Sequence, residues 1–435
     1  MARHHDLARR GVPGSLRGPA AAEPGRGTAA SLTLNVVVRI SGPLDTGLLD
    51  GAYDDLIARN DVLRSTVEPD GTRWVQRVHP HRGAALEQVD AAGRTPAELA
   101  AAWAAVPVPT DQPPLARGFL AALGPEEHLL GLALHHLHTD PRSLTLAVRE
   151  LAAAYEARLS GSRLPAPAEQ FGPYTALRLA AANARPAEER RAWLESFAGA
   201  RAMGYTCDRD IAAAPSAAGV LQRRVLDADA ANALEHAALR RRSTFFAALL
   251  TGFSLGLAEH VAHRDLVMPT IFEQRDTPRA RAMIGPFLHP SLLRVRVPVG
   301  STFDSLSPHV RDVVLAAYRH TTVTPAEVYA HHPGLAEALG TERGAACIFQ
   351  YLPAHGRTRP VSFGPATTGV VQEPDQRPGP TPATGMMFRL RRTDTGDVVA
   401  RISYDTRHQS EDAVLAVFDD FRARLDAPLA ERRAG

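Results

Sequence analysis

Two rhythms of apolar and polar residues run along this chain. One is a two-residue alternation, seen in Leu32-Thr-Leu-Asn-Val-Val-Val-Arg-Ile40, and it predicts a strand over 31–42. The other is helical: Leu48, Leu49, Tyr53, Leu56 and Ile57 share one face and predict a helix over 44–59. Strands over 62–68 and 74–79 follow, joined by a turn at Pro69-Asp70-Gly71. A helix over 96–105 and a strand over 118–123 come next. Gly124-Pro125 then turns the chain into an apolar run, Leu129 to Leu134, that stops at His135-His136. A short, bounded run of that kind suits a buried strand. Leu144, Leu146, Val148, Leu151 and Tyr155 return to helical spacing as far as Leu159, with Asp140 suited to the N-cap and Pro141 to the first helical position.

The second half repeats the same order. Helices over 174–184 and 186–199 lead to a linker over 205–218. A strand over 221–226, a helix over 229–241 and a long apolar helix over 243–261 follow. Strands over 265–272 and 292–297 come next, then a helix over 305–319 and a strand over 345–352 that Pro353 stops, having no N–H for a ladder. The Pro/Gly/Thr-rich stretch 353–385 reads as a long loop of the functional or mobile kind. A hairpin over 386–392 and 398–404 and a helix over 411–425 close the chain. The expected class is mixed α/β with antiparallel pairing, in two lobes over 31–180 and 181–435, behind a disordered extension over 1–30.

Composition narrows the function classes. A chain of 435 residues with 45% hydrophobic and 22% charged residues reads as a soluble globular protein of more than one core. A formal net charge of +2 gives no case for nucleic acid or an anionic membrane surface. No apolar stretch is long enough to span a bilayer, and the N-terminus lacks the apolar core of a secretory signal, so a cytoplasmic location is expected. Cys207 and Cys347 read as structural thiols.

The chemistry concentrates at His135-His136-Leu-His-Thr-Asp140. Two imidazoles at the mouth of a strand, with a carboxylate closing the turn, suit a general base held in place by its surroundings. Neighbouring residues at a strand end face opposite ways, so one histidine can be catalytic while the other is structural. His136-x-His138-x-Asp140 also opens like the zinc motif of metallo-β-lactamase-like hydrolases. That motif needs a histidine where Pro141 stands, and the later histidines do not supply its other ligands, so no metal is expected.

The surroundings carry a resemblance. The chain resembles the condensation-domain superfamily of nonribosomal peptide synthetases, which shares its fold with chloramphenicol acetyltransferase. The family's His-His-x-x-x-Asp-Gly is matched by His135, His136 and Asp140. Ser41-Gly-Pro-Leu-Asp45 and Leu56-Ile-Ala-Arg-Asn-Asp-Val-Leu-Arg-Ser-Thr-Val67 are similar to its opening segments. Phe272-Glu-Gln-Arg275 with Ile284-Gly-Pro-Phe-Leu-His-Pro-Ser-Leu-Leu-Arg294 is similar to its "Asn-Arg … Gly-x-Phe-Val-Asn-Thr" stretch, and Ile348-Phe-Gln-Tyr-Leu352 to its "Phe-Asn-Tyr" strand. The ordered set spans the chain from the first predicted strand to the last helix.

The resemblance implies a pseudo-dimer of two α/β sandwich lobes in a V with a central tunnel. It implies His136 as the catalytic histidine, with His135, Asp140 and Arg275 structural at the site and Asp140 paired to Arg275. His138, Pro141, His289 and Gln350 are candidates to line the tunnel. The implied reaction is acyl transfer from a thioester on a carrier protein's phosphopantetheine arm, or on coenzyme A, to a small amine or alcohol, with no bound cofactor. Neither carrier nor adenylation module fits in this length, so the enzyme is expected to be free-standing. The alternatives are a non-catalytic domain that recruits another enzyme and a coenzyme A-dependent acyltransferase. Two departures stand out: Pro141 replaces the motif's glycine, and Phe287-Leu-His-Pro290 replaces "Phe-Val-Asn-Thr". Phe303-Asp304-Ser305-Leu306 faintly resembles a phosphopantetheine attachment site, but it reads as a helix start.

Overall fold

The computed structural model describes residues 3–5, 33–70, 73–109, 112–167, 169–203, 218–340, 346–353, 360–372 and 385–430. The first half runs β1 (Arg3–His5), β2 (Thr33–Ser41), α1 (Thr46–Arg59), β3 (Ser65–Asp70), β4 (Arg73–Val78), β5 (Glu87–Gln88), α2 (Pro96–Ala105), β6 (Ala116–Gly124), β7 (Glu127–His135) and α3 (Pro141–Leu159). Helices α4 (Phe171–Asn183) and α5 (Ala187–Glu195) connect it to the second half. That half begins β8 (Ala218–Leu226), α6 (Ala228–Arg240), α7 (Phe245–Leu257), β9 (Asp265–Glu273), α8 (Pro278–Arg281) and β10 (Leu288–Arg296). It continues α9 (Phe303–Arg319), α10 (Pro325–His331), α11 (Pro333–Gly340), β11 (Ala346–Leu352), β12 (Ser362–Phe363) and β13 (Ala366–Gln372). It ends β14 (Gly385–Arg392), β15 (Val398–Asp405), α12 (Glu411–Arg424) and α13 (Asp426–Ala430).

Strand β7 sits between β2 and β6 in a sheet ordered β12-β13-β2-β7-β6-β5. Both faces of that sheet are covered. Leu130, Leu132 and Leu134 pack toward α1 and α3, while Leu129 and Ala133 join Leu99, Ala100 and Trp103 of α2. A strand buried on both faces reads as a continuous apolar run rather than an alternation, which is what Leu129 to Leu134 shows. The second sheet is ordered β11-β14-β15-β8 and closes one face on α7 and α12, where Phe253 lies against Phe349 with centroids 4.5 Å apart. Gly256 of α7 lets the two helices approach: a Cβ there would fall 2.5 Å from the backbone nitrogen of Phe421.

Three expectations change. The stretch read as one long loop over 353–385 contains β12 and β13, and β13 pairs antiparallel with β2. The second half therefore supplies the edge of the first half's sheet. Ala366-Thr-Thr-Gly-Val-Val-Gln372 lies beside the two-residue edge strand β12 and has little apolar content, so its pairing leaves no clear periodic signal. Arg3–His5, expected in an unstructured lead, pairs with β4. Where a strand was expected from Val62, a short 3₁₀ turn over Asp61–Arg64 comes first. Among the described residues no helix is long and apolar enough to cross a membrane. Cys347 is buried and unpaired, and Cys207 lies outside the described residues. The segment at Asp304-Ser305 is a helix start, with Thr302 as the cap and the Ser305 hydroxyl accepting from the Thr302 N–H at 2.9 Å.

Candidate active site

Strand β7 delivers His135 to its end, the chain turns over 136–138, and Asp140 caps α3. Pro141 occupies the first position of α3, where a backbone N–H would have no helical partner. The replacement of the motif's glycine thus suits the helix start, and Pro141 is buried there.

The turn fixes each imidazole differently. His135 is 1% exposed, and its Nδ1 accepts the Leu137 N–H at 3.1 Å, so Nδ1 carries no proton. Burial, helped by His136, holds its pKa down at about 4. His136 is only partly buried, and its Nδ1 lies 2.9 Å from the Thr139 carbonyl oxygen. A carbonyl can only accept, so Nδ1 carries a proton, and in the neutral ring the lone pair is on Nε2. That is the tautomer a general base needs, set by a backbone oxygen of the same turn. The Thr139 hydroxyl in turn donates to the His135 carbonyl at 2.9 Å.

His138, a tunnel-lining candidate, is instead 2% exposed, because the turn folds its ring back into the protein. Burial and then His135 hold its pKa down at about 3. Gln350 is buried at 4% exposure and accepts from Arg389 Nε at 3.1 Å. His289, in β10, is half-buried, and burial followed by the charge of Arg178 holds it down at about 4, against the pull of Asp140.

Asp140 and Arg275 meet across the two halves. Arg275 Nη2 lies 2.9 Å from both Asp140 oxygens, with side chains 2% and 1% exposed. Asp140 also accepts from the Ser143 N–H at 2.7 Å and hydroxyl at 2.8 Å, and from the Phe287 N–H at 3.1 Å. Arg275 Nη1 donates to the carbonyls of Ala280 and Met283 at 2.6 and 2.5 Å, and the guanidinium lies 3.9 Å over the Phe287 ring. Glu273 extends the charge chain, 3.1 Å from Arg275 Nε and 3.9 Å from Arg142 Nε. Removing one member of such a buried pair is costly, and this one ties the turn behind His136 to the loop after β9.

Sequence reasoning missed Ser143. Its hydroxyl reaches Asp140, lies 2.9 Å from the Gly285 carbonyl oxygen, and accepts from the Gly285 N–H at 3.0 Å. A serine three residues after an N-cap aspartate was the available signal. An open, mostly apolar groove of about 570 Å³ lies between α4 and the start of α8, lined by Tyr174, Leu177, Arg178, Thr277, Pro278 and Arg279.

The buried imidazoles make stability pH-dependent. His135 and His138 stay neutral in the fold, with pKa values near 4 and 3 against an ordinary 6.5. The unfolded chain binds those protons first, so stability is fully present above the ordinary value and falls as pH drops below it. With His289, also held down at about 4, three such groups give a slope approaching ~4 kcal/mol per pH unit. Urea titrations between pH 6.5 and 5, above most carboxylate titration, will show this loss. His138→Gln should remove about a third of the slope, and a flat profile in the parent protein would refute the assignment.

The comparisons with known proteins agree with this geometry. The family profile described as "Condensation domain" matches residues 28–332. The chain is 28% identical over 296 residues to Tyrocidine synthase 2 of Brevibacillus parabrevis, covering 68% of this chain and 8% of that protein. It is 30% identical over 315 residues to the probable nonribosomal peptide synthetase CymA of Salinispora arenicola, covering 68% of this chain and 4% of that one. The chain therefore spans a small fraction of the length of these relatives. Among solved structures, SgcC5 from Streptomyces globisporus superposes with a TM-score of 0.71 at 20% identity, over 92% of this chain and 93% of that one. The X-domain from teicoplanin biosynthesis superposes with a TM-score of 0.72 at 24% identity, over 94% and 97%. The fold is the chloramphenicol acetyltransferase-like α/β fold. With its motif histidines at the end of β7 and a family match over most of its length, this chain belongs to the condensation-domain family of nonribosomal peptide synthesis.

Proposed function

We propose that this protein forms amide or ester bonds, passing an acyl group from a carrier-protein phosphopantetheine thioester to an amine or hydroxyl acceptor. The observation that carries this reading is the His136 Nδ1–H bond to the Thr139 carbonyl, 2.9 Å, which reserves Nε2 of a partly exposed ring for the acceptor's proton. The acceptor nitrogen or oxygen attacks the thioester carbonyl carbon as Nε2 takes its proton. The carbon–sulfur bond then breaks, the departing thiolate takes the proton back from Nε2, and the neutral imidazole is restored with no residue acylated. Asp140 and Arg275 are positioning residues: they hold the turn and do not meet the reacting atoms.

Family membership supports the donor class, and the SgcC5 structure holds a naphthyl ethanediol, an alcohol, in keeping with a hydroxyl acceptor. A second reading is recruitment of another enzyme, favoured by the fold neighbour solved as a complex of an X-domain with OxyB. Intact-protein mass spectrometry of acyl-loaded carriers, with candidate acceptors and with this protein present or absent, separates the two. Loss of the acyl mass with product formed supports transfer. Carrier binding without product supports recruitment. Parallel reactions with coenzyme A thioesters tell which thioester is used.

A further inference from the structure

Helix α4 carries apolar residues on its outer side. Tyr174 is the one buried residue of its thirteen. Pro173, Leu177, Ala180 and Ala181 fall on one side at helical spacing and are all exposed, Leu177 at 67%. A helix that only closes a core turns such a side inward, and an apolar side left in water marks a contact surface.

The helix cannot roll to hide it. Tyr174 and Phe171 both pack on the Phe287 ring, with centroids 5.6 and 5.2 Å away. Arg178 Nη1 donates to both Asp276 oxygens at 2.8 and 2.9 Å, and Arg178 Nη2 donates to Gln274 at 3.1 Å. The open groove of about 570 Å³ between α4 and α8 takes its apolar lining from Tyr174, Leu177, Ala181 and Pro278.

Charge along this groove is one-sided. Neither α4 nor α8 contains an acidic residue, and Glu169 is the groove's one carboxylate. Arg178 is balanced by Asp276. Arg279 is exposed, and among the described residues its guanidinium has no partner. Arg281 is exposed as well and donates from Nε to the Arg275 carbonyl at 3.1 Å. A second copy of this chain would set these arginines against each other, which disfavours self-association through this face. A helix with apolar side chains for the groove and carboxylates for Arg279 and Arg281 satisfies both features.

The same face borders the candidate active site. Arg275 Nη1 donates to the carbonyls of Ala280, within α8, and Met283, and its guanidinium lies over Phe287. Tyr174, Ala280, Met283 and Phe287 form one apolar cluster. A partner seated on α4 and α8 therefore rests on the residues that enclose the Asp140–Arg275 pair.

We infer that the α4–α8 face docks the protein that carries the thioester, through a partner helix with an apolar ridge edged by carboxylates. The identity of that partner rests on the acyl-transfer reading, whereas the chemistry of the face does not.

Fluorescence anisotropy tests the face with two labelled helical peptides of about 18 residues. Both carry leucines at i, i+3, i+4 and i+7, one with glutamates and the other with lysines along the edges. The glutamate peptide should bind at least ~10-fold tighter than the lysine peptide. Arg279→Glu should erase that preference, and Leu177→Asp should weaken both peptides. Both positions are exposed, so thermal unfolding should match that of the unaltered protein. The partner is tested by offering one acyl group on a carrier protein and on free pantetheine. In each variant kcat/KM should fall at least ~10-fold further for the carrier-bound thioester than for the pantetheine thioester. Equal binding of the two peptides, a preference that survives Arg279→Glu, or a carrier-to-pantetheine ratio unchanged in both variants would overturn the inference. A peptide preference with no turnover of either thioester by the unaltered protein would remove the acyl-transfer reading, and the carrier with it, and leave the acidic-helix surface standing.

Discussion

Asp140→Ala should destabilise the fold by about 3–5 kcal/mol, because it leaves a buried guanidinium without its counter-charge. Arg275 is 2% exposed at the side chain, sits on the Phe287 ring and is held by two backbone carbonyls, so it cannot swing into water without undoing the loop after β9. The same change removes the cap of α3 and the acceptor of the Phe287 N–H. Arg275→Met should cost a similar amount by stranding the carboxylate. Replacing both partners together, Asp140→Ala with Arg275→Met, should recover part of the loss, since an apolar substitute for a buried pair is often neutral. Urea unfolding of the four proteins closes the cycle. An Asp140→Ala midpoint equal to the parent's would mean that the pair does not hold the halves together.

The second large effect is on rate alone. His136→Ala should lower turnover by ~10²–10⁴-fold, the contribution typical of a positioned proton-transfer group. Its ring is partly exposed and makes one hydrogen bond, to Thr139, within its own turn, so thermal unfolding should change little. Turnover of an acyl-loaded carrier by the variant at the parent's rate would exclude His136 from the chemistry. The same rate loss in His138→Gln would not implicate His138 as a base. That ring is 2% exposed, and its variant should betray itself through stability and its pH slope instead.

Much of the fold was legible because its signals are local. Asp140 and Pro141 mark the start of α3, and the helix runs to Leu159 as its spacing predicts. The run Leu129 to Leu134 announces a strand covered on both faces, and β7 is that strand. The pairing of Arg275 with Asp140, expected from family resemblance, appears as a buried bidentate contact. Strand β13 was not legible. It joins a sheet whose other main strands lie more than two hundred residues earlier, and Thr-Thr-Gly has no periodicity to give it away. Ser143 was legible only as a serine near a helix start; its contact with Gly285, 142 residues away, was not.

Sequence alone determined the strand that ends in paired histidines, the capped helix behind them and the ordered motifs of the condensation family, since each depends on residues close together in the chain. Tertiary structure decided which nitrogen of His136 holds the proton, that His138 turns inward, and that α4 leaves Leu177 facing water. Those properties depend on what stands opposite a side chain in space, a carbonyl, a packed interior or open solvent, and no local pattern encodes the neighbour.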